Sequence, residues 1–258
     1  MILACLRRFK QEYEALCVTL VFLIFGCMEP PQQDVVLDPA LRAHYSLITE
    51  GKTGSARVQL RQYMDEYGES SQPLFLMGLS YHHEKRYTKA VEWLTKSSAF
   101  TLEDDRYPPT WHFMGWSYYY LGNVEAAKGA FEHFLALHPD EGDSLFALGL
   151  LEMDAGRFVE AEHLYRKSIL SQQDNPEGQA KALARLGDVF ASRNDLHEAR
   201  ELYLQAVDLN PDLYEAWYHL SVVHQRIGDD QLSLEALEES KIAKRRTLQS
   251  RYATRFPE

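Results

Sequence analysis

"WHFMGWSYYYLGNVEAAKGAFEHFLALHP", residues Trp111 to Pro139, crowds aromatic, glycine and alanine residues into one helical hairpin. With Gly115 as zero, the conspicuous residues take fixed offsets. Trp111 lies at −4, Met114 at −1, Tyr118 at +3, Gly122 at +7, Ala127 at +12, Phe131 at +16 and Pro139 at +24.

The same slots recur along the chain. Around Gly187 they hold Leu183, Leu186, Phe190, Asn194, Ala199, Tyr203 and Pro211; around Gly149 they hold Leu145, Leu148, Glu152, Gly156, Ala161 and Tyr165. Gly78 gathers Leu74, Met77, Tyr81, Arg86 near the turn, Ala90 and Leu94. Two looser copies flank these. Ser221 takes the anchor slot with Trp217, Leu220, His224, Gly228 and Leu237, and His44 takes it with Ala40, Ala43, Leu47, Gly51, Ala56 and Leu60. Successive anchors stand 34, 37, 34, 38 and 34 residues apart.

Each slot has a physical reason. A small anchor lets two antiparallel helices approach closely, and Gly or Asn at +7 supplies the positive φ of a tight turn. Alanine at +12 fits where the second helix crosses the first. Large residues at −4, +3 and +16 fill the layer between hairpins, and proline at +24 opens the next connection. One such hairpin cannot bury its apolar face alone, so the copies must stack.

The pattern resembles the tetratricopeptide repeat family, whose period is about 34 residues. The resemblance covers residues from about Leu37 to Arg245 and implies an all-α, right-handed superhelical solenoid of about six hairpins closed by a C-terminal capping helix. Two departures read as lengthened loops: three extra residues around Leu102 to Pro109 ("LEDDRYPP") and four around Ser171 to Gly178 ("SQQDNPEG"). The last copy has Ser233 at +12 and no proline, as befits a cap. The organisation expected is a leader at 1–26, a short Pro-containing tether at 27–36, the solenoid at 37–245 and a basic helix end at 246–258.

The leader is read from Arg7, Arg8 and Lys10, then the apolar run Ala15 to Gly26, "ALCVTLVFLIFG", then Cys27. Such a run is too short for a comfortable membrane span, which needs about 20 residues, but it suits a secretory signal. "LIFGC" resembles a bacterial lipobox, with Cys27 the residue to be acylated. Phe25, and Glu12 and Glu14 ahead of the run, depart from that pattern and leave an uncleaved signal anchor as the alternative. Either reading places the body in the bacterial cell envelope, membrane-anchored and facing away from the cytoplasm. The other cysteines, Cys5 and Cys17, also precede the body, so the body has no disulfide framework, thiolate metal site or cysteine nucleophile.

The net charge is −11. Residues 28–240 carry 18 Lys and Arg against 35 Asp and Glu, whereas residues 241–258 carry six basic residues and one acid. An acidic body argues against nucleic acid as a partner.

In the resembling family the first helices of successive hairpins line a concave face. Helical geometry puts offsets −6, −3, +1 and +4 on it. The expected binding stripe is Phe75, Leu79 and His82, then His112, Trp116 and Tyr119, then Phe146, Leu150 and Met153. The next copy is polar, with Lys181, Asp188 and Arg185. An exposed apolar stripe suits an apolar or amphipathic protein segment. Against this stands the possibility that an N-terminal segment or a tight superhelix covers the stripe and makes it core.

Signatures of chemistry are few. No Gly-rich phosphate loop, HExxH or GxSxG occurs. Glu160 and His163 have the Glu-x-x-His spacing of di-iron bundles, but a single copy is insufficient. The expected function is therefore a non-enzymatic, membrane-tethered adaptor without cofactor. The alternatives are a ligand- or metal-binding solenoid using His82, His112 and Tyr119, and an oligomer built by end-to-end stacking.

Overall fold

A computed structural model describes residues 37–100 and 109–255. The leader, Cys27, the tether and residues 102–108 of the first insertion lie outside the described residues. After a 3-10 turn at Pro39–Leu41, six hairpins follow one another. They pair α1 (Arg42–Thr49) with α2 (Thr53–Tyr67), α3 (Ser71–His83) with α4 (Tyr87–Ser98), and α5 (Thr110–Tyr120) with α6 (Val124–Leu137). The others pair α7 (Gly142–Asp154) with α8 (Phe158–Ser171), α9 (Pro176–Ser192) with α10 (Leu196–Leu209), and α11 (Tyr214–Ile227) with α12 (Asp230–Arg255). Packing runs almost wholly between neighbours in the chain, which defines a helical solenoid.

The turn slot behaves alike in all six copies. Residue +7 adopts positive φ every time: Gly51 at 78°, Lys85 at 59°, Gly122 at 73°, Gly156 at 72°, Asn194 at 67° and Gly228 at 95°. In the second hairpin the turn residue is Lys85, one position before the expected Arg86, whose φ is −92°. The register of the turn therefore overrides the usual reluctance of a non-glycine residue to turn left-handed.

The anchor slot sets the helix spacing. An ideal Cβ built on Gly78 would meet Leu94 Cγ at 2.6 Å, on Gly115 it would meet Phe131 Cδ1 at 2.7 Å, on Gly149 Tyr165 Cε1 at 2.5 Å, and on Gly187 Tyr203 Cε1 at 2.8 Å. In each case the residue at +16 lies directly on the anchor backbone. The +12 alanines (Ala56, Ala90, Ala127, Ala161 and Ala199) are fully buried at the crossing.

A serine at +19 adds a hydrogen bond that the offsets did not reveal. Ser97 donates to the Ser71 carbonyl at 2.9 Å, Ser168 to the Gly142 carbonyl at 2.9 Å and Ser240 to the Tyr214 carbonyl at 2.8 Å. Hairpins two, four and six thus tie the start of the first helix to the second helix.

The second insertion lengthens a helix, not a loop. α9 has 17 residues against 13 in α7, a difference of about one turn. Asn175 caps it by accepting from the Gly178 amide, and Pro176 sits in the first turn, where its missing N–H costs nothing. At the other end α12 runs unbroken through residues 245 and 246, so the basic end continues the last helix.

Two alanine substitutions should move stability in opposite directions. Gly149→Ala forces a methyl against Tyr165 and should cost about 1–3 kcal/mol. Gly129, in the middle of α6 with open space around it, should gain about 1 kcal/mol as alanine. Urea denaturation followed by circular dichroism measures both; equal effects would refute the close-approach role of the anchor.

Candidate functional site: an aromatic groove across hairpins three to six

The expected stripe divides into a buried part and an open part. Phe75 and Leu79 are each only 2% exposed and belong to one core cluster with Leu37, Leu41, Ile48 and Phe113. The Asp38 amide donates to Gln72 Oε1 at 2.8 Å, joining the start of the described chain to α3. The first helices of hairpins one to three therefore close over this face, and Phe75 and Leu79 are core.

His82 and His112 are ties between hairpins. The Ser117 hydroxyl donates to the Phe113 carbonyl and so accepts from His82 Nδ1 at 2.9 Å. His82 is also ringed by Tyr87, Phe113 and Tyr120. Burial, followed by the nearby His83 and His112, holds its pKa down at about 4, which keeps the ring neutral. His112 is buried and bonds the Ser144 hydroxyl at 2.7 Å. Glu141 caps α7 by accepting from the Ser144 amide at 2.6 Å, with His112 Nδ1 3.6 Å away. Burial opposes ionisation of Glu141, yet His112 and Ser144 hold its carboxyl at about 2.

Beyond these ties the face opens. Trp116, Tyr119, Tyr120, Phe146 and Leu150 line a cavity of about 550 Å³ together with Asp143, Glu177, Lys181 and Arg185. A second cavity of about 560 Å³ continues along the solenoid and shares Phe146, Glu177, Lys181 and Arg185 with the first. It extends past Asp188, His219, Glu215 and Arg246. Met153 is only partly buried and packs against the Tyr165 cluster with Phe146 and Leu150, outside the lining of either cavity.

Tyr120 and His219 are groove residues that the sequence offsets missed, and Arg185, noted beside the inward set of its copy, joins them. They occupy +5, −2 and −2, and at about 100° per residue those offsets adjoin −6 and +1 rather than +4. The open arc of each first helix thus extends past −6 and +1, while −3 and +4 reach the following hairpin at His82 and His112 and line the groove at Phe146 and Tyr119. Only the rotation between neighbouring hairpins sets that arc, and no single helix encodes it.

Asp188 organises the floor. It accepts from Tyr203 Oη at 2.7 Å and pairs with Arg185 at 2.9 Å, while His219 stacks on Tyr203 with ring centroids 5.7 Å apart. Below the rim Glu152 is buried between Lys128 of α6, 2.9 Å away, and Arg157 at the start of the next helix. Those hydrogen bonds, from Arg157 first, hold its carboxyl below the ordinary range. Among the described residues no group of three or more His, Cys, Asp or Glu side chains could hold a metal ion, and no helix is long and apolar enough to cross a membrane. Glu160 and His163 are both exposed on α8.

Comparison with known proteins agrees with this architecture. Residues 114–177 match a family model described as tetratricopeptide repeat, and residues 187–228 match a TPR repeat model. The chain is 25% identical over 146 residues to the protein CTR9 homolog of Arabidopsis thaliana, covering 57% of this chain and 13% of that protein. Over 80 residues it is 30% identical to the photosystem I assembly protein Ycf3 of Synechococcus elongatus, covering 31% of this chain and 46% of Ycf3. The solved structure of Pseudomonas aeruginosa PilF superposes with a TM-score of 0.65 at 16% identity, covering 76% of this chain and 86% of that one. The chain therefore spans less than half of either curated relative, and the likeness to PilF is one of fold. Residues 114–177 and 187–228 thus carry tetratricopeptide repeats.

The buried His82 makes stability depend on pH. Its folded pKa lies below the unfolded value, so protonation of the unfolded chain penalises folding as pH falls below about 6.5 and the loss levels off near 4. Wild type should lose on the order of 2 kcal/mol between pH 7 and 4 through this group, the partly exposed ring giving less than the full linkage. His82→Gln should flatten the profile, as followed by urea denaturation at each pH; an unchanged slope would refute the assignment.

Proposed function

We propose that this chain is a membrane-tethered tetratricopeptide-repeat adaptor that holds a protein partner in the groove of hairpins three to six and serves bacterial cell-envelope assembly. The observation that carries the reading is the open, half-buried row Trp116, Tyr119, Phe146 and Leu150 on a face that no other part of the described chain covers. Large aromatic side chains held rigidly on packed helices bring much contact area at little entropic cost, which is what protein-binding hot spots require. The tether rests on the basic flank, the apolar run and Cys27 of the leader. Export places a single-domain body of this kind beside the membrane, where a short Pro-containing linker keeps it close.

A photocrosslinking residue in place of Tyr119 should capture a protein in native membranes, while the same residue in place of Val159, exposed on α8, should not. Trp116→Ala combined with Tyr119→Ala should weaken that partner's binding by about tenfold or more. Equal capture from both positions would overturn the groove. Cys27→Ser should release the protein from the membrane fraction, and retention there would replace the lipid anchor with an uncleaved one.

A further inference from the structure

The groove's own charges indicate what it takes, on the premise that the groove is the binding site. Every cation lining the two cavities is already matched. Lys181 pairs with Glu177 at 2.6 Å, Arg185 with Asp188 at 2.9 Å and Arg246 with Asp212 at 3.0 Å. Two carboxylates remain. Asp143 and Glu215 both occupy offset −6, on α7 and α11, line the cavities, and have no ion-pair partner among the described residues. Desolvation, and then the neighbouring Glu141, push Asp143 above the ordinary carboxylate range, while His112 and Lys181 pull it back.

The aromatic lining of the groove has the same deficit. Tyr87, Tyr120 and Trp116 form a stacked row, with centroids 4.7 Å and 5.9 Å apart at 22° and 26°, and Tyr119 stands edge-on to Trp116 at 5.6 Å. Tyr120 is 53% exposed. Elsewhere in the described chain Arg or Lys covers the rings of Tyr81, Trp93, Phe190 and Tyr214. The groove row has no such cover, although ring faces attract cations.

A buried hydroxyl completes the picture. Tyr165 and Tyr203 share offset +16, and Tyr203 donates to Asp188, the +1 residue of its hairpin. The +1 residue beside Tyr165 is Leu150, which cannot accept, and the Tyr165 hydroxyl is buried without a partner. Phe146 and Leu150 pack over the Tyr165 ring, so the apolar surface at this rim rests on a fully buried side chain.

We propose that the occupant is a cationic amphipathic protein segment, which seats an Arg or Lys side chain between the Trp116 and Tyr120 rings and the Asp143 carboxylate and rests its apolar face on Phe146 and Leu150. The acidic body, with 35 Asp and Glu against 18 Lys and Arg over residues 28–240, favours the encounter over long range.

The test uses the full chain in detergent and two labelled helical peptides with identical apolar spacing, one carrying Arg and Lys at its polar positions and the other Asp and Glu. Fluorescence anisotropy should show the basic peptide binding at least about tenfold tighter. Asp143→Lys should weaken the basic peptide by about tenfold, while Glu198→Lys, the same charge change on exposed α10, should alter it little. Tighter or equal binding of the acidic peptide overturns the proposal, as do equal losses from the two Lys variants, which would mean diffuse attraction. If neither peptide binds while the Tyr119 crosslinker still captures a protein, the cationic assignment fails and the groove stands. If the crosslinker also captures nothing, the groove reading fails with it.

Discussion

The contact on which this solenoid depends is that of a large side chain lying flat on the backbone of a glycine sixteen residues before it. Leu94, Phe131, Tyr165 and Tyr203 each rest on an anchor glycine at a distance that leaves no room for a methyl group. That contact fixes how closely two helices of a hairpin approach, and with it the breadth of the face each hairpin offers its neighbour. A wider hairpin would leave the +12 alanines short of the opposing helix and open voids that cores do not tolerate. The left-handed turn at +7 follows from the same demand: helices this close need a short connection that reverses direction, and Lys85 accepts the strained φ to provide it.

Hydrogen bonds then lock the stack in one register. Within hairpins the +19 serines reach a carbonyl at the start of the partner helix; between hairpins His82 meets Ser117, His112 meets Ser144 and Lys128 meets Glu152. These polar ties are buried or half-buried, so slipping one hairpin along the next would strand them without partners at a cost of about 1–3 kcal/mol each. Apolar layers alone tolerate such slips more readily than satisfied polar pairs do.

The parts of the fold that were legible in the sequence are those where every copy meets the same local demand. Gly115 and Ala127 could be read because small size at a crossing is a property of the slot itself. The turn of the second hairpin, read near Arg86, falls on Lys85, because neither residue type marks a left-handed turn and register alone places it. The extra residues before Gly187 read as loop because they fall where one hairpin hands over to the next, yet Asn175 and Pro176 are also the residues that start a helix. The candidate site was less legible. Trp116, Tyr119, Phe146 and Leu150 line the groove as expected, but Phe75 and Leu79, in equivalent offsets, are core. The difference lies in how closely neighbouring hairpins stack, a quantity that emerges only when all first helices are placed together.

Tyr165 and Tyr203 show how a repeat varies without breaking its own pattern. Both satisfy the anchor contact with the same ring atoms, so the slot is conserved in its packing role. Their hydroxyls diverge because the +1 residue above them differs. Asp188 ties one of them into a network of carboxylate, guanidinium and imidazole, whereas Leu150 leaves the other unmatched among the described residues. The same ring is thus tied by its hydroxyl in one hairpin and held by packing alone in the next, and the change that separates them lies outside every slot that maintains the fold. Variation at +1, −2, −6 and +5 can therefore alter what the groove recognises while the spacing of the helices beneath it stays constant.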